Sequence, residues 1–259
     1  MGYNDERAAA LPKRYLIVDV EKALRPEMVP FFRPIEEDYD SIKADGRLKD
    51  PDKIAADLEA KRQKVREEAE AKRAAQLEKA PLDPNASRIV SIGWQTEEMQ
   101  EPQVTVCPNE AVELGALGLF WRAAYGRILI GFYSRTYDWP HIYHRTRLLN
   151  LDAPRDWRRM IAPYGRADGH IDLYDVWTLD GTLARDTVVS NGLTEICRQL
   201  GCNVPNDDVD GAEIGALVAA GDWEAIARHN RRDIERTVWL ARRLGVVPQA
   251  APQATELAF

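Results

Sequence analysis

Residues 14–23, RYLIVDVEKA, constrain the fold more than any other stretch. Four consecutive apolar residues, Tyr15 to Val18, run straight into acids. A short apolar run ended by charge predicts a strand buried at the centre of a sheet. RILIGF (127–132) predicts a second buried strand, and RIVSIGWQ (88–95) with QVTVCP (103–108) predicts a strand pair. Between them, NEAVELGALGLFWRAAYG (109–126) has an amphipathic helical pattern with Asn109 placed as its N-cap. From Asp138 onward the pattern is mostly helical. Helices are expected after Pro140, near 172–183, near 191–200, briefly after Asp210, and from Asp222 to Leu244. Strands first and helices returning onto them predict a three-layer α/β arrangement with a mixed central sheet.

One stretch stands apart. Residues 48–80 hold nine basic and eight acidic residues and few large apolar ones, a strongly helix-forming composition with a thin apolar stripe. They predict a solvated helical arm inserted into a single domain spanning 1–246. The end of the chain, 247–259, is rich in Pro, Ala and Gln and is expected to be disordered.

Bulk properties exclude several classes. No apolar run approaches the roughly 20 residues of a membrane span. The start lacks a secretory pattern, and Glu6 stands where a myristoylation signal needs Ser or Thr. Three cysteines without CxxC spacing suggest neither a disulfide framework nor a zinc knuckle. The cytoplasm is therefore the expected compartment. A formal charge of −7 argues against a protein that coats nucleic acid non-specifically. Residues 141–170, however, carry six arginines against three aspartates, a local excess of three positive charges.

Three groups of acids carry the chemistry. Asp19 and Glu21 are spaced i, i+2, so in a strand they project to the same side. Alone they fit either a solvated strand end or a paired carboxylate site. Asp138 follows the loop GFYSRTYDWPHI (131–142) and fits a helix cap as well as a ligand. His229 and Asp233, in IARHNRRDIERT (226–237), share a helix face at i, i+4. They fit a surface ion pair or one wall of a metal site.

In order and context, YLIVDVEKA, RILIGFYSRTYDWPHIYHR and GLTEICRQLG…DGAEIGALVAAGDWEAIARHNRRDIERT resemble the DnaQ-like, or DEDD, family of 3′-to-5′ exonucleases on the ribonuclease H-like fold. The resemblance is greatest to the subgroup of the exonuclease domains of family-B polymerases. It implies Asp19, Glu21, Asp138 and Asp233 as metal-binding carboxylates and two Mg²⁺ or Mn²⁺ ions as cofactors, hard cations suited to oxygen ligands. It also implies that His229 handles the attacking water. That subgroup uses tyrosine four residues before the aspartate and the other large subgroup uses histidine five before, so histidine at four is a hybrid. A second departure is Tyr133, where the family often has asparagine.

The implied activity is 3′-to-5′ hydrolysis of DNA, single-stranded in the first instance. An exoribonuclease and a non-catalytic nucleic-acid-binding scaffold are the alternatives. Arg135, Tyr137, Arg145 and Arg147 are the expected nucleic-acid contacts, with Tyr143, Trp157 and Tyr164 available for base stacking. The last residues, ATELAF, resemble the peptide by which bacterial replication proteins dock on the sliding clamp.

Overall fold

The computed structural model describes residues 11–152, 169–183, 188–205 and 209–249. Trp157, Tyr164, most of the arginine-rich stretch and the clamp-like tail lie outside the described residues. Chain contacts divide the protein into two units, one of Met1–Ala23 with Arg88–Phe259 and one of Leu24–Ser87.

The first unit is built on five strands in the order β3-β2-β1-β4-β5. They are β1 (Tyr15–Leu24), β2 (Ser87–Thr96), β3 (Gln103–Val106), β4 (Ile128–Gly131) and β5 (His170–Asp172). β1 is central, as its apolar run predicts. It pairs in parallel with β4, with Ile17 opposite Ile130, and β4 pairs in parallel with β5. β2 and β3 are antiparallel, so the sheet is mixed.

Alternation along β1 sorts its side chains between two helical layers. Leu16, Val18 and Val20 pack with Leu117 and Phe120 of α2 (Glu110–Ala124) and with Trp139 and Ile142 of α3 (Asp138–Leu148). Tyr15 and Ile17 face the other way, onto Ile196 of α5 (Leu193–Gln199) and Ile234 and Val238 of α7 (Trp223–Arg243). Each fully buried aliphatic side chain contributes about 1.5–3 kcal/mol. Two shorter helices, α4 (Leu173–Thr178) and α6 (Ile214–Ala220), complete the unit's α-helices among the described residues.

The helix expected near 172–183 is α4, and ahead of it lies a strand that was not expected, β5, whose three residues are too few to show a period of two in the sequence. Asp138 is the first residue of α3 rather than its cap, and the Ser134 carbonyl accepts from the Asp138 and Trp139 N–H groups instead.

Arg145 is also corrected. Expected at a nucleic-acid surface, it is fully buried, with Nε and Nη2 donating to Glu113 at 2.7 and 2.8 Å and Nη2 also to Glu110 at 2.7 Å. A guanidinium so fully buried presents no face to phosphate. Glu113 in turn accepts from the Ile89 N–H, tying β2, α2 and α3 together.

In the second unit, α1 (Pro51–Lys79) is capped by Asp50, whose carboxylate accepts from the Asp52 N–H. Its one buried residue is Ala69. The segment before it is held by side chains of α1. Lys61 donates to the Lys43 carbonyl, Gln76 donates to that of Arg33, Asp57 accepts from the Asp45 N–H, and Arg73 pairs with Glu37.

Replacing Glu113 by alanine leaves Arg145 buried without its main counter-charge. This is expected to cost about 3–5 kcal/mol in chemical denaturation. A loss below about 1 kcal/mol would show that the pair is not a structural tie.

Candidate metal centre

β1 and α7 form the two walls of the site. Because Asp19 and Glu21 continue the Tyr15–Ile17 face of β1, they project toward α7, where His229, Asn230 and Asp233 lie on the inward side. His229 is buried at 7% exposure, so it does not form a surface ion pair. Its Nε2 lies 3.6 Å from Glu21 Oε1 and 3.8 Å from Asp233 Oδ2. One donor atom from each of Glu21, His229 and Asp233 falls within 4.8 Å of the others.

Asp19 is half-buried beside this trio. Its Oδ2 accepts from Asn230 Nδ2 at 2.6 Å, and Asn230 Oδ1 accepts from Ser91 Oγ at 3.0 Å. A buried relay from β2 through α7 thus fixes one carboxylate oxygen of β1. Asp233 is fixed similarly: Oδ1 takes Arg236 Nη1 at 2.7 Å, and Arg236 Nη2 donates to the Pro205 carbonyl. Asp138, 3% exposed, takes Lys22 Nζ at 2.9 Å. Lys22 follows the D-x-E pair and, by alternation, leaves β1 on the opposite face, toward α3.

The acids crowd one another. Burial holds the Asp19 carboxyl well above its usual range, and Glu21, Asp138 and Asp233 push it further, with Lys22 opposing. Burial likewise raises Asp138, against Lys22 and with help from Asp233. The four predicted carboxylates therefore share one electrostatic neighbourhood.

The loop leading to Asp138 is pinned from β5. Asp172 accepts from the N–H groups of Tyr133 (2.7 Å), Arg135 (2.9 Å) and Tyr174 (3.0 Å), and burial still raises its carboxyl to about 6. Ser134 Oγ lies 2.9 Å from His170 Nε2, and burial lowers that imidazole to about 3, leaving it neutral. Gly131 is required because a Cβ there would lie 2.5 Å from the Ser134 side chain. Tyr133 adopts φ 54° and lays its ring 4.2 Å from that of Tyr174 and 4.9 Å from that of Tyr137.

The expected nucleic-acid residues fare differently. Tyr137 belongs to this aromatic group, one residue before Asp138. Arg135 is paired with Asp175 at 2.9 Å. Arg147 is exposed, over the Tyr143 ring at 5.6 Å, and about 13 Å farther along α3 than Asp138.

A family model described as RNase H superfamily matches residues 76–245. The chain belongs to this superfamily. The match takes in Asp138, His229 and Asp233 but begins after β1, so the tie of Asp19 and Glu21 to the site comes from the tertiary structure. A protein of Methanocaldococcus jannaschii described as uncharacterized is 28% identical over 176 residues, 62% of this chain and 88% of its own. A family B DNA polymerase from the hyperthermophilic archaeon Pyrobaculum calidifontis is similar in structure, with a TM-score of 0.51 and 13% identity, over 90% of this chain. The chain spans 24% of that polymerase's length. At that identity the likeness speaks for the fold, an RNase H-like α/β sheet with helices on both faces. Among the described residues no helix is long and apolar enough to cross a membrane.

Membership of the RNase H superfamily suggests a nuclease, and such enzymes usually use divalent metals. The residues present fit one. They offer hard oxygen donors and one imidazole within a single ion's reach, and their mutual repulsion is what a divalent cation relieves.

That repulsion has a measurable sign. Folding raises Asp19 above its unfolded value of 3.8, so its contribution to stability is present at low pH and is lost as pH rises through the folded value. Without metal, Asp19→Asn is expected to melt above the native protein at neutral pH, with the gap closing toward about pH 4. Mn²⁺ should reverse the order at neutral pH by stabilising the native protein more. A gap indifferent to both pH and Mn²⁺ would refute the crowding.

Proposed function

We propose that the chain is a metal-dependent 3′-to-5′ exonuclease of the DnaQ-like (DEDD) kind, acting on DNA and in the first instance on single-stranded 3′ ends. The observation that carries this is the approach of His229 to both Glu21 and Asp233, beside the half-buried Asp19 and the buried Asp138. A surface ion pair on α7 needs no such company. The order of the acids along the chain and the family-B polymerase likeness support the same reading.

In this proposal Asp19, Glu21 and Asp233 hold a Mg²⁺ or Mn²⁺ ion. In the two-ion scheme that the resemblance implies, Asp19 and Asp138 would hold a second ion. Bound divalent ions supply a nucleophile at neutral pH and relief for the charge that builds at phosphorus. The chain's own groups do the rest. His229 Nε2, between two carboxylates, orients the attacking water and accepts its proton. Asn230 keeps one oxygen of Asp19 turned away from the phosphate and leaves the other to bind. Tyr133, Tyr137 and Tyr174 offer ring faces to the terminal bases beside Asp138, a sequence-tolerant mode of holding a single strand. Arg147 extends the proposed backbone contacts along α3; Arg135 joins them only by releasing Asp175.

An oligonucleotide labelled at either end should shorten from its 3′ end in Mg²⁺ or Mn²⁺, and Asp19→Ala should abolish this. Equal shortening by both proteins, or none by either, would refute the assignment, and RNA run beside DNA selects the sugar. His229→Ala is expected to lower kcat about 10²- to 10⁴-fold. Near-normal turnover would mean that His229 is not the base.

A further inference from the structure

Lys22 is unaccounted for by the two-ion scheme. It occupies the position immediately after the D-x-E pair, leaves β1 on the face opposite Glu21, and brings its ammonium to 2.9 Å from Asp138 Oδ1. Its side chain is only 14% exposed and that of Asp138 only 5%. Burying so long a side chain against one carboxylate costs it rotamer freedom. A solvated surface lysine incurs no such cost.

Formal charge points the same way. Asp19, Glu21, Asp138 and Asp233 bring four negative charges. Lys22 on Asp138 and Arg236 on Asp233 each set one positive charge against one of them. The atoms offering themselves to an ion lie on one side, on Glu21, His229 and Asp233, with Asp19 adjoining. On the other side the carboxylate of Asp138 already has its cation.

We propose that Lys22 is a built-in cation standing in the place of the second metal ion, so that this centre takes a single divalent ion on the Asp19, Glu21 and Asp233 side. The inference rests on the nuclease reading of the site and changes its metal count. Asp138 then acts as the anchor for Lys22 rather than as a metal-binding group, and Lys22 is a positioning residue for the phosphate. Its positive charge is present with or without bound metal.

The test is the number of Mn²⁺ ions bound per full-length chain. Calorimetry and electron paramagnetic resonance would measure it, with and without thymidine monophosphate to fill the product position. One ion per chain is expected in both conditions. Lys22→Met, which keeps length and volume but not charge, should bind a second ion through the released Asp138. Lys22→Gln provides the same test if the methionine variant does not fold, and the native protein's count decides by itself if neither does. Two ions on the native protein, or one ion of unchanged affinity on a folded Lys22 variant, would overturn the proposal and leave the nuclease reading standing. No Mn²⁺ on the native protein would overturn both.

Discussion

The site depends on the two-residue period of one strand held between two layers. Ile17 of β1 is sealed against α7 by Ile234 and Val238, so Asp19 and Glu21, two and four residues on, must emerge on the same side. A one-residue slip would send both acids toward α2 and α3 and bring Val18 and Val20 to the face that meets α7. Hydrophobic burial thus sets the register, and the register aims the carboxylates. Close approach of α7 is the second requirement, and Gly93 of β2 permits it. A Cβ there would lie 2.2 Å from Ile234 Cδ1 and 2.6 Å from Asn230 Oδ1, and Asn230 is the residue that grips Asp19.

The acids are gathered at a cost that the surrounding residues limit. Asp19, Asp138 and Asp233 are held by Asn230, Lys22 and Arg236 respectively. None of these partners removes the repulsion, and burial deepens it. A pocket that is electrostatically incomplete as a bare protein is one preorganised for a cation. The same logic explains why the loop before Asp138 is so heavily secured, with Asp172 taking three backbone N–H groups and His170 meeting Ser134. A metal site tolerates little movement of its walls.

Much of this was legible in the chain. The buried strand at Tyr15–Val18, the pairing of 88–95 with 103–108, the Asn109 cap and the long closing helix all follow from local period and capping chemistry, which act over a few residues. β5 was not legible, because His170–Asp172 is a strand only through its pairing with β4. Arg145 misled for a related reason. It lies in an arginine-rich stretch, and only the packing of α3 on α2 shows that its partners are Glu110 and Glu113, more than thirty residues earlier. Asn230 did leave a sign, as a lone amide on an apolar stripe, but its partners on β1 and β2 are distant in sequence.

By itself the sequence determined the kinds of element, the acids available and the direction in which each leaves its own strand or helix, since these obey local stereochemistry. Only the tertiary structure decided that His229 faces Glu21 as well as Asp233, that Asp138 meets Lys22 instead of capping its helix, and that Arg145 is a core residue. Those outcomes depend on which charges are buried beside which. Over such distances along the chain, burial and ion pairing are set by the layers' packing and leave no periodic trace in the order of residues.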